Sequence, residues 1–224
     1  MSKDQPIPDE PRVLLVNKPY QWTSFDVVKK LKFGLKVRKI GHAGTLDPLA
    51  TGLLILCTGK MTKQIETFQA QEKEYTGTFV IGQTTPSYDL ETEVSEPKDI
   101  SNITDENIAK AVIQLTGTIE QIPPIFSAVK VNGKRAYKSA RKGEEVKLKS
   151  RQVEVKIFEL TKITLPEIHF RIVCSKGTYI RSLARDLGEL LGVGAHMTAL
   201  CRTRIGEFDL KSAQTIEEIL TIPC

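Results

Sequence analysis

With 224 residues, 40% of them apolar, the chain has enough material for a packed core and suits one large domain or two small ones. No stretch is long and apolar enough to span a bilayer, and the opening MSKDQPIPDEP is polar and proline-rich rather than a secretion signal. A net charge of +5 excludes a strongly acidic protein, but the placement of the charges says more than their sum.

Residues 1–11 read as a flexible N-terminal lead-in. Arg12 to Asn17 is a short apolar run ending at Lys18-Pro19, so a strand entering a turn is expected. A helix should begin at Trp22-Thr23-Ser24, with Ser24 as its cap. Val27, Val28, Leu31 and Leu35 then share one face, and the lysines fall mostly opposite. Lys29, Lys30, Lys32, Lys36, Arg38 and Lys39 crowd this approach.

The next stretch, Lys39 to Gly52 (KIGHAGTLDPLATG), shows neither helical nor strand periodicity. It holds Gly41, Gly44, Gly52 and Pro48, residues that shape a backbone rather than extend it. Asp47 directly precedes Pro48 and is steered away from helical geometry. The pattern describes a shaped loop presenting one carboxylate, Asp47, and one imidazole, His42. A plain turn, with Asp47 capping nearby backbone, is the competing reading of Asp-Pro alone. The loop runs straight into GLLILCTG, fit for a buried strand.

Thr62 to Ala70 reads as helical, and Tyr75 to Gly82 (YTGTFVIG) as a strand. Pro86 and the acids after it mark a surface excursion. Thr104 begins a helix with Ile108, Ala111, Val112 and Leu115 inward, and Gly117 stops it. QIPPIFSAVKVNGKRAYKSARKG starts extended, turns at Asn132-Gly133 and continues as a helix. This segment carries a second basic cluster: Lys130, Lys134, Arg135, Lys138, Arg141 and Lys142. Val153–Ile163 and Ile168–Cys174 alternate and should form an antiparallel hairpin around Pro166. Tyr179 to Leu191 is a helix with Ile180, Leu183, Ala184, Leu187 and Leu190 inward, stopped by Gly192, and Thr215 with Glu218 forms a last capping box.

Hairpin signals outnumber regular strand–helix alternation, so the expected class is α+β, with a central mixed or mainly antiparallel sheet and flanking helices and loops. No linker divides residues 12–224, which read as one catalytic domain. Cys57, Cys174, Cys201 and Cys224 lack C-x-x-C spacing. They read as reduced and mostly buried, neither zinc ligands nor a disulfide frame, which points to the cytoplasm. Each basic cluster alone is as well explained by a solvated face; two of them beside a shaped acid loop favour a polyanion such as RNA.

The whole loop string resembles the G-H-x-G-x-L-D-P-x-A-x-G signature of the TruB family of tRNA pseudouridine synthases. The resemblance runs from about Val13 to Phe208 and implies the pseudouridine synthase fold, with Asp47 as nucleophile and His42 as a substrate-handling neighbour. Cys174 to Arg181 matches the family's C-S-K-G-T-Y-I-R segment completely. By that match Arg181 pairs with Asp47 and Tyr179 helps to build the pocket. Tyr75, on its residues alone an ordinary strand aromatic, becomes the active-site tyrosine of a K-x-Y motif. Leu200 in ALCRTRIGEF matches an apolar pocket wall, but Cys201 stands where the family has an arginine, so no RNA contact is carried over there. Lys18-Pro19 and Thr62-Lys63 match family segments more weakly, giving Lys18 and Lys63 as substrate-binding candidates. Asp89 fits the last acid of the family's R-T-D-T-x-D segment, whereas Pro86 replaces the first.

The resemblance implies conversion of uridine 55 in the tRNA T-loop to pseudouridine: the base–ribose C–N bond breaks, the base rotates and a C–C bond forms. Nothing is oxidised and no atom is gained, so neither cofactor nor metal is needed. Attack on ribose C1′, attack on uracil C6 and stabilisation of a glycal-forming step all suit a single carboxylate. The target base has to leave its stack to reach Asp47. Too few residues follow Phe208 for the RNA-binding PUA domain that bacterial relatives add. The segment from Lys130 to Lys149 is therefore expected to share the grip on the T-arm, and a monomer is the default. Two other readings compete: an idle RNA-binding module on the same fold, and a glycosidic-bond hydrolase. The hydrolase needs a second acid, and the sequence offers Asp47 no good partner.

Overall fold

The computed structural model describes residues 10–127, 129–131, 134–135 and 148–221, with 130, 131, 134 and 135 described by backbone alone. Strands from along the chain form a mixed sheet of nine, and a two-stranded ribbon pairs β6 (Lys130–Val131) with β7 (Lys134–Arg135). The turn expected at Asn132-Gly133, the helix after it and most of the second basic cluster lie outside the described residues. The chain forms two compact units: residues 1–75 with 200–224, and residues 76–199. The first is therefore assembled from both ends of the sequence.

In the first unit, β3 (Thr51–Thr58) is the middle strand, buried at every residue except its first. It pairs antiparallel with β1 (Val13–Lys18), from Val13↔Cys57 to Lys18↔Gly52, and with β2 (Ile40–Ala43). The C-terminal part of β10 (Ala195–Ile205) joins it in parallel at Cys201↔Thr51 and Arg202↔Gly52. Because side chains alternate across a strand, β3 serves two cores. Leu54 and Leu56 meet Val27, Val28, Leu31 and Leu35, together with Ile216 and Ile219 of α5 (Ile216–Thr221). Leu53, Ile55 and Cys57 meet Ala43 and Ile205 on the other side. Burial on both faces explains why GLLILCTG is continuously apolar instead of alternating.

Helix α1 (Ser24–Gly34) buries Ser24, Val27, Val28 and Leu31 and exposes Lys29, Lys30 and Lys32, as the periodicity predicts, whereas Lys36, Arg38 and Lys39 are exposed beyond the end of the helix. Its cap is Thr23 rather than Ser24. Thr23 Oγ1 accepts from the Asp26 N–H at 3.0 Å, and the Asp26 carboxylate accepts from the Thr23 N–H, completing a capping box. Ser24 is freed for another task, described below. The sequence-based expectation of no strand between Lys39 and Gly52 is also corrected, because β2 occupies Ile40–Ala43. Four residues flanked by glycine carry no periodicity of their own; pairing with β3 makes them a strand. The helix expected from Thr62 is a 3-10 turn (Gly59–Gln64) followed by α2 (Ile65–Ala70).

The second unit holds the rest of β4 (Lys73–Ile81), which runs in the order β4-β9-β8-β5 with β9 (Glu167–Cys174), β8 (Arg151–Thr164) and β5 (Gly117–Gln121). The predicted hairpin around Pro166 is present as β8–β9. Phe79, Phe158 and Phe170 fill its core, with the Phe79 and Phe170 rings 4.2 Å apart. Helix α3 (Asp105–Gln114) is capped by Thr104 as expected, with Asn107 completing the box. It ends at Leu115, and Gly117 opens β5 instead of closing the helix. Helix α4 (Ile180–Leu190) buries Ile180, Leu183, Ala184 and Leu187 as expected, but Leu190, also expected inward, sits in the last turn and is exposed. Cys57 and Cys174 are buried.

Candidate active site

The Asp47 loop links β2 to β3, and its backbone is held along most of its length. Gly44 sits at φ +90°, a conformation that favours glycine. The Gly44 carbonyl accepts from Arg202 Nη2 at 3.2 Å and the Thr45 carbonyl from Nη1 at 3.5 Å. Both polar groups of the Leu46 backbone meet Ser24: the Leu46 N–H donates to Oγ at 2.9 Å, and Oγ donates to the Leu46 carbonyl at 3.2 Å. The Ala50 N–H donates to the Asp47 carbonyl at 3.1 Å, and Lys18 Nζ donates to the Pro48 carbonyl at 3.2 Å. Where the loop enters β3, the Leu53 carbonyl accepts from Arg202 Nε at 2.8 Å. A loop whose polar backbone is spoken for on both sides of Asp47 presents its carboxylate from a fixed frame.

Two of these anchors are cations taken almost wholly out of water. Lys18 is 0% exposed and Arg202 is 1% exposed. Besides Pro48, Lys18 donates to the carbonyls of Pro19 and Trp22, at 2.9 and 2.5 Å. Burial lowers the Lys18 pKa to about 8; the Asp47 charge opposes that shift, the Arg202 charge adds to it, and Asp26 opposes it more weakly. His42, on β2 opposite Leu56, is likewise held below the usual histidine range by burial. The Gly44 backbone works against that shift and the Arg202 charge works with it. Its Nδ1 is buried and meets no hydrogen-bond partner among the described residues. His42 is therefore a neutral imidazole at pH 7 with one ring nitrogen that meets no hydrogen-bond partner among the described residues.

The first unit also carries Tyr75, Lys63 and Leu200. Tyr75 lies on β4 and is 8% exposed. Lys73, two residues earlier, is buried and donates to the carbonyls of Gln69 and Gln71, tying the start of the strand to the end of α2. Glu72 and Glu74 flank Lys73 and hold the far end of β10: Arg204 Nη2 is 2.8 Å from Glu72, and Thr203 Oγ1 donates to Glu74 at 3.0 Å. Leu200 is buried, and its carbonyl accepts from Thr51 Oγ1 at 3.4 Å, where the loop becomes β3. Lys63 is exposed on the 3-10 turn.

The second unit positions Arg181 and Tyr179 at the start of α4. Tyr179 is the cap residue, and the side chain of Gln121 holds it by both backbone groups. The Tyr179 N–H donates to Gln121 Oε1 at 2.8 Å, and Gln121 Nε2 donates to the Tyr179 carbonyl at 3.1 Å. The Arg151 guanidinium stacks over the Tyr179 ring, 4.7 Å from its centroid. Arg181 is 3% exposed. It donates to the Ser87 carbonyl at 3.2 Å and the Phe126 carbonyl at 3.0 Å, and its Nε lies 3.5 Å from Asp89 Oδ2. Lys130 begins β6, and its side chain lies outside the described residues.

The structure thus brings Lys18, His42 and the Asp47 loop together in one unit and Tyr179 with Arg181 in the other. Two anchoring residues escape a reading of the sequence: Arg202, an arginine in an alternating strand, and Gln121, a glutamine beside a proline pair. Each meets partners far along the chain. In ALCRTRIGEF the resemblance singles out Leu200 and Cys201, and the arginine after them carries no local signal. Among the described residues, no group of three or more His, Cys, Asp or Glu side chains is arranged to hold a metal ion.

Comparison with known proteins places these features. Residues 31–180 match the N-terminal domain of TruB family pseudouridylate synthases, and residues 181–223 match the C-terminal domain described for tRNA pseudouridylate synthase B. The tRNA pseudouridine synthase B of Flavobacterium johnsoniae is 56% identical over 91% of this chain and 92% of its own length. That of Phocaeicola vulgatus is 53% identical over 93% of this chain and 91% of its own. Among solved structures, a chain of a Cbf5–Nop10–Gar1 complex is 30% identical with a TM-score of 0.72, over 93% of this chain and 53% of that one. With both parts of the sequence matched and relatives more than half identical along nearly their full length, the chain belongs to the TruB family of pseudouridylate synthases.

Proposed function

We propose that this enzyme converts uridine 55 in the T-loop of tRNA to pseudouridine, with Asp47 as the nucleophile and the target base turned out of its stack. The observation that carries the reading is the held loop around Asp47 in a chain of this family. An ionised acid on a loop clamped by Lys18, Arg202 and Ser24 suits attack at a fixed point, with little reorganisation when the bond forms. The names of the relatives support tRNA as the substrate. The exposed lysines of α1 suit contact with phosphates.

Within this reading Tyr75 stacks on the target base and takes the C5 proton, and Arg181 holds the Asp47 carboxylate in line. His42, neutral, fills the space that the base vacates or stacks on a neighbouring base. Tyr179 and Leu200 wall the pocket, and Lys18, Lys63 and Lys130 complete the substrate contacts. The isomerisation gains no atom and changes no oxidation state, so its chemistry calls for no cofactor or metal. The enzyme works as a monomer in the cytoplasm.

The test is tritium release from T-arm RNA labelled at uracil C5, run with wild type and Asp47→Asn. Release by the wild type and none by the variant is the expected result. Equal release by both removes Asp47 from the reaction, and free uracil in the products replaces isomerisation by hydrolysis.

A further inference from the structure

We infer that Arg202 is a positioning residue for the reaction, setting the shape of the Asp47 loop from beneath; this rests on Asp47 being the nucleophile. Every hydrogen bond that its guanidinium makes among the described residues goes to a backbone carbonyl of this loop or of the strand it enters. Nη2 takes Gly44, Nη1 takes Thr45 and Nε takes Leu53. These carbonyls lie on both sides of Asp47, so one rigid planar group fixes entry and exit together. The main chain of Arg202 grips the same place. It pairs with Gly52, and a Cβ added to Gly52 would lie 2.4 Å from the Arg202 carbonyl oxygen. The loop is thus bracketed by the backbone of residue 202 at one point and by its side chain at three.

Packing alone does not account for an arginine here. Removing a guanidinium from water is costly, and well-packed apolar residues often replace buried charges without loss. At 1% exposure Arg202 carries that cost with neutral carbonyls as its hydrogen-bond partners. What an apolar residue cannot supply is a set of donors spaced to take three loop carbonyls. Lysine cannot either, because its ammonium is a compact point charge with no fork. The charge has a second effect, since it adds to burial in lowering the proton affinity of Lys18 and of His42.

Arg202→Lys and Arg202→Met separate shape from bulk. Both are expected to bind T-arm RNA with a Kd within about twofold of wild type, because no RNA contact is removed. In single-turnover experiments Arg202→Lys should isomerise about a hundredfold more slowly, the scale of a reacting group misplaced by roughly 1 Å. Arg202→Met should be no faster. Amide exchange should rise at Leu46 and Ala50 in both variants, with Leu54–Leu56 of β3 still protected. A wild-type rate in Arg202→Lys overturns the proposal, as does a rate loss matched by an equal loss of RNA affinity.

If neither variant folds, NMR of the wild type decides the matter. A held guanidinium gives resolved, slowly exchanging Arg202 Nη–H signals, and one averaged signal overturns the three-carbonyl anchor. Asp47→Asn run in parallel keeps the two ideas apart. Full activity in that variant sinks the nucleophile assignment, whereas a dead Asp47→Asn beside fully active Arg202 variants sinks only this inference.

Discussion

Arg181 and Asp89 form an ion pair inside the second unit, Nε to Oδ2 at 3.5 Å, with neither residue more than 3% exposed. Asp89 also accepts from the Glu91 N–H at 3.0 Å, so its carboxylate is itself aimed. Asp89→Asn keeps the shape but removes a buried carboxylate charge from beside the guanidinium. Breaking such a pair from one side costs about 3–5 kcal/mol. Urea unfolding should show a loss of that order, and Asp89→Asn combined with Arg181→Met should lose less than the two single changes added together. Strict additivity means that the pair does not interact.

Lys18 titrates among groups whose signs are known. Its pKa should be near 8, well below the 10.5 of an ordinary lysine, in an NMR titration of 13C-labelled lysine methylenes. The Asp47 charge raises that pKa and the Arg202 charge lowers it. Asp47→Asn should therefore move the midpoint down and Arg202→Met should move it up. Between about 8 and 10.5 the unfolded chain holds more protons at this group than the native one. Its contribution makes the fold more stable as pH rises through that window. Movement of the midpoint in the opposite directions contradicts the arrangement described.

Gly52 cannot tolerate a side chain. It lies at φ +100°, and a Cβ would stand 2.4 Å from the Arg202 carbonyl and 2.8 Å from its nitrogen. Both are backbone atoms in a parallel pairing, so relief means separating β3 from β10. Gly52→Ala should lower stability by at least about 2 kcal/mol, from backbone strain and overpacking together. Thermal melts would check this, and an unchanged midpoint would mean that the strands yield freely.

Gln121 is fully buried and joined to Tyr179 through both ends of its amide. Gln121→Met conserves volume and leaves an N–H and a carbonyl to find other partners. The expected cost is about 1–3 kcal/mol. Because Tyr179 caps the helix that carries Arg181, the rate of isomerisation should fall with it. Wild-type melting and turnover in Gln121→Met would reduce the amide to a space-filler.

Much of this architecture is legible in the residues because the causes are local. The apolar run of β3, the helical spacing of Val27 to Leu35 and the branched alternation of β8 and β9 each lie within a dozen or so positions. The same holds for the glycines and proline that shape the Asp47 loop. What escaped is what depends on distant partners. Arg202 reaches Gly44, Thr45 and Leu53 across most of the chain, and Gln121 reaches Tyr179 across several intervening strands. Strand β2 is too short to advertise itself and exists through its pairing with β3. Thr23 and Ser24 are both good caps for α1 on sequence grounds; Thr23 takes the role because the loop claims Ser24 for Leu46.

The first unit draws its anchor from the far end of the sequence, and that has a temporal consequence. A ribosome makes Asp47 long before Arg202; at about 5–20 residues per second the delay is on the order of ten seconds. Throughout that interval the nascent loop has its acid but not the guanidinium that braces it. The loop around Asp47 is therefore completed late in synthesis, when β10 slots beside β3, and a chain cut short before that strand carries Asp47 on an unbraced bend.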